Sequence, residues 1–149
     1  SGILIIKKIG EKHRVVLTSD FGNKLMDFEI SETEFRINYI IPDLDKGIVK
    51  RFIENDFRML LKEQFIVNQL FENEDSKIFV SEEAKKKHYL FFNKTDDLLS
   101  KITYTNRGKE KVVFGFSAKK PIFADEIEMQ HKDFKISIKL YEITQNDQE

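Results

Sequence analysis

The stretch Ile3-Leu4-Ile5-Ile6-Lys7-Lys8-Ile9-Gly10-Glu11-Lys12-His13-Arg14-Val15-Val16-Leu17-Thr18 decides how the rest of the chain is read. Two runs rich in β-branched residues flank a Gly-Glu break, the pattern of a hairpin with strands over residues 3–9 and 13–18. Ile3, Leu4, Ile5 and Ile6, then Val15, Val16 and Leu17, are apolar at consecutive positions. Successive strand side chains point to opposite faces, so this pattern predicts a sheet covered on both sides. In a single antiparallel sheet, one cover is curvature of the sheet onto itself. The other is a helix, or a ligand on a concave face.

Beyond this hairpin, further strands are expected over residues 24–30 and 34–41, separated by Ser19-Asp20-Phe21-Gly22-Asn23 and Ser31-Glu32-Thr33, which carry turn chemistry. Pro42 ends the meander, and Asp43 to Asp45 are placed to cap a helix. Ile48, Val49, Phe52, Ile53, Phe57, Leu60 and Leu61 recur at helical spacing, with Lys50, Arg51, Glu54 and Asn55 opposite, which predicts that helix over residues 48–61. Residues 65–71 are ambiguous and 72–76 read as a polar loop. Strands resume over 77–80, 87–92, 100–105, 110–117, 122–129 and 134–143. Asn106-Arg107-Gly108-Lys109 is a hairpin turn in which Asn106 and Gly108 tolerate positive φ. The last strand alternates Phe134, Ile136, Ile138 and Leu140 with Lys135, Ser137 and Lys139, so one of its faces is wet.

Composition narrows the function classes. The 149 residues match one domain's length, and no linker interrupts them. The absence of Cys removes disulfides, thiolate metal sites and a cysteine nucleophile. A formal net charge of -1 does not favour nucleic acid or an anionic membrane as a whole-molecule partner. Hydrophobic residues at 40% and charged ones at 34% fit a globular chain, and no apolar run is long enough for a spanning helix. The chain opens at Ser1-Gly2 directly into a strand-like run, as though an upstream segment had been processed or left out. The 14 Phe against 4 Tyr and no Trp supply bulky apolar surface with few polar handles, a lining for hydrocarbon or a packed core.

No constellation reads as a catalytic or metal site. His13, His88 and His131 lack ligand spacing and are expected on strand surfaces. The pairs Asp43/Asp45, Glu82/Glu83 and Asp96/Asp97 fall in turn or loop contexts, and Glu126 with Glu128 has no third ligand. Asp20-Phe21-Gly22 matches the magnesium triplet of protein kinases by accident, since no phosphate loop or catalytic loop accompanies it. Lys85-Lys86-Lys87 beside Tyr89, Phe91 and Phe92 has the ingredients of a single-strand nucleic-acid patch. The slightly acidic chain favours reading it as a solvated loop entering a strand. Phe21 beside Gly22 stands out, because a hairpin tip normally calls for polar residues. Composition favours its ring folding back to plug one end of the sheet.

The run from His13 to Gly22, followed by Leu25 and Phe28, resembles the strand, loop and strand of the outer-membrane lipoprotein receptor of the Lol lipoprotein-sorting system. The later half is similar in order: Ser100-Lys101-Ile102-Thr103-Tyr104-Thr105-Asn106-Arg107-Gly108-Lys109, then Lys111-Val112-Val113-Phe114-Gly115. After Pro121 come 126–129 and 134–143, similar to the closing strands of receptor and carrier. The resemblance implies an α+β fold: a strongly curved antiparallel sheet forming an incomplete barrel, with one or more helices covering the concave opening. It implies a single domain over residues 1–149, lacking its N-terminal helix and first strand.

The function so implied is binding of lipoprotein acyl chains, or other lipid, for sorting to the outer membrane, with no chemical step, cofactor or metal. The apolar cavity would be walled by Leu4, Ile6, Val16, Met26, Phe28, Phe52, Phe57 and Phe114. Phe21 and Gly22 map onto the protruding tip that helps put lipoprotein into the outer membrane. The family's tip is commonly Leu preceded by Pro, whereas here Phe21 follows Asp20. The implied setting is periplasmic, as a monomer without nucleic acid, anchored to the outer membrane if a lipidated Cys lies upstream. The alternative is an envelope protein-interaction module of the same fold, without ligand, whose core is filled by its own side chains.

Overall fold

The computed structural model describes residues 1–118, 124–133 and 137–142, and the chain divides into two compact units, Ser1–Gln64 and Phe65–Glu149. The strands do not form one sheet. In the first unit β1 (Gly2–Ile9), β2 (Lys12–Ser19), β3 (Lys24–Ile30) and β4 (Phe35–Ile40) make a four-stranded antiparallel meander, followed by α1 (Gly47–Leu60). In the second unit β5 (Gln69–Glu72), β6 (Ser76–Glu83), β7 (Lys86–Asn93), β8 (Leu99–Asn106), β9 (Lys109–Ser117), β10 (Glu126–His131) and β11 (Ser137–Tyr141) make a seven-stranded one. Neither sheet closes into a barrel: β1 and β4 are the edges of one, β5 and β11 of the other. Residues 62–68, between the units, carry no regular structure and no Gly-, Pro- or Ser-rich signal.

Alternation along the strands decides what the first sheet buries. Cα register sets Ile6 against Val15, Val15 against Phe28, and Leu17 against Met26. These residues share one face with Ile30, and α1 packs on that face across β3. Val15, Met26, Phe28, Ile30 and Phe57 form the buried cluster, with Leu4, Leu17, Phe35, Ile37, Ile40, Ile53, Leu60 and Leu61 packed against it. The ring of Phe28 meets Phe35 edge-on at 5.4 Å and Phe57 at 5.3 Å between centroids, the arrangement that aromatic quadrupoles favour.

The helix begins one residue earlier than the apolar pattern suggests. Asp43 to Asp45 do not cap it: Lys46 is the N-cap and makes no side-chain cap bond, while Asp45 accepts a hydrogen bond from Lys50 Nζ at 2.7 Å. The C-terminal turn closes through Leu61 N donating to Phe57 O at 3.0 Å.

In the second unit the ambiguous stretch before the polar loop resolves into β5, whose residues are all exposed. One face of this sheet buries Leu90, Ile102, Phe114 and Met129 across successive strands, and the other buries Val80 and Thr103. His88 is not a surface residue. Its ring packs between Phe65 and Tyr104 at centroid distances of 5.4 and 5.1 Å, and burial pushes the Tyr104 phenol up. At the β8–β9 turn Arg107 and Gly108, with φ of 52 and 76, take the left-handed conformation. Asn106 instead remains in β8, paired to Lys109. Residues 122–123, 134–136 and 143, parts of two expected strands that include Phe134 and Ile136, lie outside the described residues.

Because Phe28 fills the centre of the first unit, Phe28→Ala should destabilise that unit by about 3–5 kcal/mol, the cost of a buried aromatic truncation. Urea unfolding monitored by circular dichroism checks it, and a loss below about 1 kcal/mol would mean the ring is not the centre of the core.

Candidate functional site

The most exposed apolar side chain of the β2–β3 turn is Phe21, with 93% of its surface accessible. The turn is closed from within. Ser19 N donates to Asn23 O at 2.8 Å and Gly22 N to Ser19 O at 2.9 Å, while Asn23 N donates to Ser19 Oγ at 3.2 Å. Gly22 sits at φ +83, in the region where a Cβ is strained. Ser1 Oγ donates to the carboxylate of Asp20. A loop this short cannot carry the ring back onto the sheet, so the folded-back placement that composition favours does not occur.

The residues expected to wall an acyl cavity are only partly brought together. Met26, Phe28 and Phe57 belong to the packed cluster and fill one another's space, with Leu4 against them. Val16 is on the opposite face, since its register partner is Asp27 and alternation turns Val15, not Val16, toward the core. Ile6 shares the core face yet is 39% exposed near the sheet edge. Phe52 is half-buried and lies outside the cluster. Phe114 belongs to the second unit, where it is buried opposite Met129 and Ile102.

The void beside this cluster has a different character. A cleft of about 400 Å³ opens where the C-terminal end of α1 faces the β1–β2 and β3–β4 turns. Ile30, Phe57 and Leu61 supply its apolar part, and Lys8, His13, Arg58 and Glu63 line the rest. Lys8 Nζ donates to both oxygens of Glu63 at 2.8 and 2.7 Å, which holds the Glu63 carboxyl below its usual range. His13 Nε2 stands 3.6 Å from the same carboxylate. Arg58 donates to the Ser31 carbonyl at 3.1 Å and to Glu54 at 2.7 Å. Charged and apolar side chains thus share the lining of this cleft.

The outer face of the first sheet combines exposed hydrocarbon with a buried charge. Register aligns Ile5, Val16, Asp27 and Tyr39 in one row across the four strands. Ile3, Ile5 and Ile9 on β1 are 40%, 54% and 52% exposed, and Tyr39 on β4 is 46% exposed. Between them Asp27 is only 2% exposed. Arg14 grips its carboxylate with two N–H groups at 3.1 and 2.8 Å, and Lys24 and Asn38 donate at 3.3 and 3.4 Å. The hydrogen bonds from Arg14 hold its pKa down at about 2, against 3.8 ordinarily, and overcome the burial that would raise it. A buried carboxylate without those donors would be strongly unfavourable.

The linear order of residues does not disclose this group, because Asp27 falls at a polar position of an alternating strand and so passes for a solvated residue. The available signal is the recurrence of Arg14, Asp27 and Asn38 on three consecutive strands. Among the described residues, no three His, Asp or Glu gather as a metal site, and no helix is long and apolar enough to cross a membrane. No family model, curated protein or solved structure matches the chain.

Because Asp27 is more acidic folded than unfolded, its contribution to stability is complete above about pH 4 and is lost as the pH falls toward 2. Asp27→Asn should lower stability at pH 7 by about 2 kcal/mol and flatten the acid limb of the stability curve. Denaturant midpoints taken from pH 7 down to 2 check this; parallel curves for the two proteins would mean that the carboxylate does not contribute.

Proposed function

We propose that this protein is a non-catalytic interaction module, and that its first unit takes an extended strand of another polypeptide along β1. The observation that carries this reading is that Val15, Met26, Phe28, Ile30 and Phe57 fill the interior where an acyl cavity is expected. Within the first unit, Ile3, Ile5, Ile6 and Ile9 of β1 are among the hydrocarbon left in contact with water. This strand spans Gly2–Ile9 and, among the described residues, pairs with β2 on one side and with no strand on the other. An open edge recruits a strand through main-chain hydrogen bonds, with alternate side chains giving selectivity. Lys7 within β1 opposes indiscriminate edge pairing and selects a partner that places an acidic side chain across from it. Placement in the periplasm of a bacterial envelope rests on the family resemblance alone.

Ile5→Lys, on an exposed position, should leave the fold intact and abolish retention of the partner. Comparing proteins retained by immobilised wild type and by the variant checks it. The reading fails if both columns retain the same set.

A second reading is favoured by the tip. A Phe ring 93% exposed on a closed turn is suited to enter the headgroup boundary of a lipid layer, as lipoprotein delivery requires. One buried Phe is worth about 1.5–3 kcal/mol, and Asp20 beside it opposes insertion, so the tip gives brief attachment rather than anchoring. Enclosing ten methylenes would add roughly 8 kcal/mol, and that depends on a hollow opening inside the core. Phe21→Glu should weaken vesicle binding severalfold with no change in unfolding midpoint. Together with an absent response to a fluorescent fatty acid, unchanged vesicle binding would dispose of lipid delivery.

A further inference from the structure

The seven-stranded sheet places two of its turns side by side. Since β6, β7, β8 and β9 are consecutive neighbours, the β6–β7 and β8–β9 turns emerge at the same end. Arg107 N donates to Lys85 O at 2.9 Å and ties one turn to the other. Around this bond lies an open cleft of about 690 Å³ lined by Ala84, Lys85, Lys86, Arg107, Lys109 and Lys111. Lys85 and Lys86 come from one hairpin, and Arg107, Lys109 and Lys111 from the other.

The charge there is not balanced. Lys111 donates to Asp133 at 2.6 Å. Among the described residues no carboxylate stands within ion-pair distance of Lys85, Lys86, Arg107 or Lys109, although Glu83 is the register partner of Lys86 and Glu110 follows Lys109. Glu82 is occupied by Lys87 at 3.7 Å. Holding like charges around one cleft costs energy that a bound anion would recover. Both turns are tight. Ala84 and Arg107, with φ of 56 and 52, are two of the three non-glycine residues with positive φ among those described. Each opens a two-residue hairpin loop, a position that calls for positive φ and fixes the two turns in place.

We propose that this cleft binds a compact phosphate-bearing ligand. The guanidinium of Arg107 matches two phosphate oxygens at once, and the flanking ammonium groups serve as point charges around it. Several cations converging on one opening call for more than one negative charge, as in a polyphosphate or a phosphorylated headgroup. The lining has no aromatic ring on which a base could stack, which separates it from a single-strand nucleic-acid groove. Tyr89 and Phe91 lie further along β7, away from the turns.

Calorimetric titration with inorganic tripolyphosphate, and sedimentation with vesicles containing phosphatidylglycerol, test the assignment on the whole chain. Saturable binding that weakens as salt rises is expected for at least one probe. Response to tripolyphosphate alone identifies a free phosphate ligand, and response to vesicles alone a lipid headgroup. Lys86→Gln combined with Lys109→Gln should reduce affinity about tenfold or more. Arg107→Gly, which removes the guanidinium while relieving the left-handed strain, should do the same without unfolding the protein. Lys101→Gln, distant on β8, should leave binding unchanged. The assignment is overturned if neither probe binds, if the cleft variants bind like wild type, or if a single-stranded oligonucleotide binds more tightly than tripolyphosphate through the same residues.

Discussion

Every strand in the described residues hydrogen-bonds only to its neighbours in sequence, and every pairing is antiparallel. Between most of these strands the chain turns within a few residues, which lets a strand reverse beside its predecessor. Two consequences shape the molecule. A pure meander leaves its first and last strands paired on one side only, so β1, the strand with the most exposed hydrocarbon, is also an edge. It also brings every second turn to the same end of the sheet, which is how Lys85 and Arg107, far apart in a hairpin ladder, come to share one cleft.

Side-chain alternation then sorts chemistry between faces. In the first unit it sends Val15, Met26 and Phe28 to the helix side and Val16, Asp27 and Tyr39 to the other. The helix side closes by edge-on packing of Phe28 against Phe35 and Phe57. The opposite face keeps one charge buried by surrounding it with donors from three strands, Arg14, Lys24 and Asn38, with exposed isoleucines and Tyr39 on the same sheet.

Much of the fold is legible in the residues alone. The hairpin around Gly10-Glu11, the span of β3 and the α1 register all come from periodicity and turn residues, which act over a few positions. The site is less so. The double-sided apolar run at residues 3–6 reads as a sheet covered twice, but hydrophobicity cannot say whether the second cover belongs to the same chain, and β1 remains open on one face and one edge. Lys85-Lys86-Lys87 passes for a solvated loop because its partners Arg107 and Lys109 lie two strands later. Asp27 escapes notice because a buried charge and a wet one look alike until its donors are in place.

Local physics, namely which residues extend, coil or turn, is written in the order of amino acids: strand alternation, the helical stripe over α1 and the reversal at Gly22 depend only on near neighbours. Folding in three dimensions is what divides the strands into two open sheets, fills the space between strand and helix with Phe28 and Phe57, leaves Phe21 in solvent and makes cations from separate hairpins converge. Those outcomes depend on which distant surfaces exclude water together and which charges end up within a few ångströms, and neither quantity exists until the chain has folded.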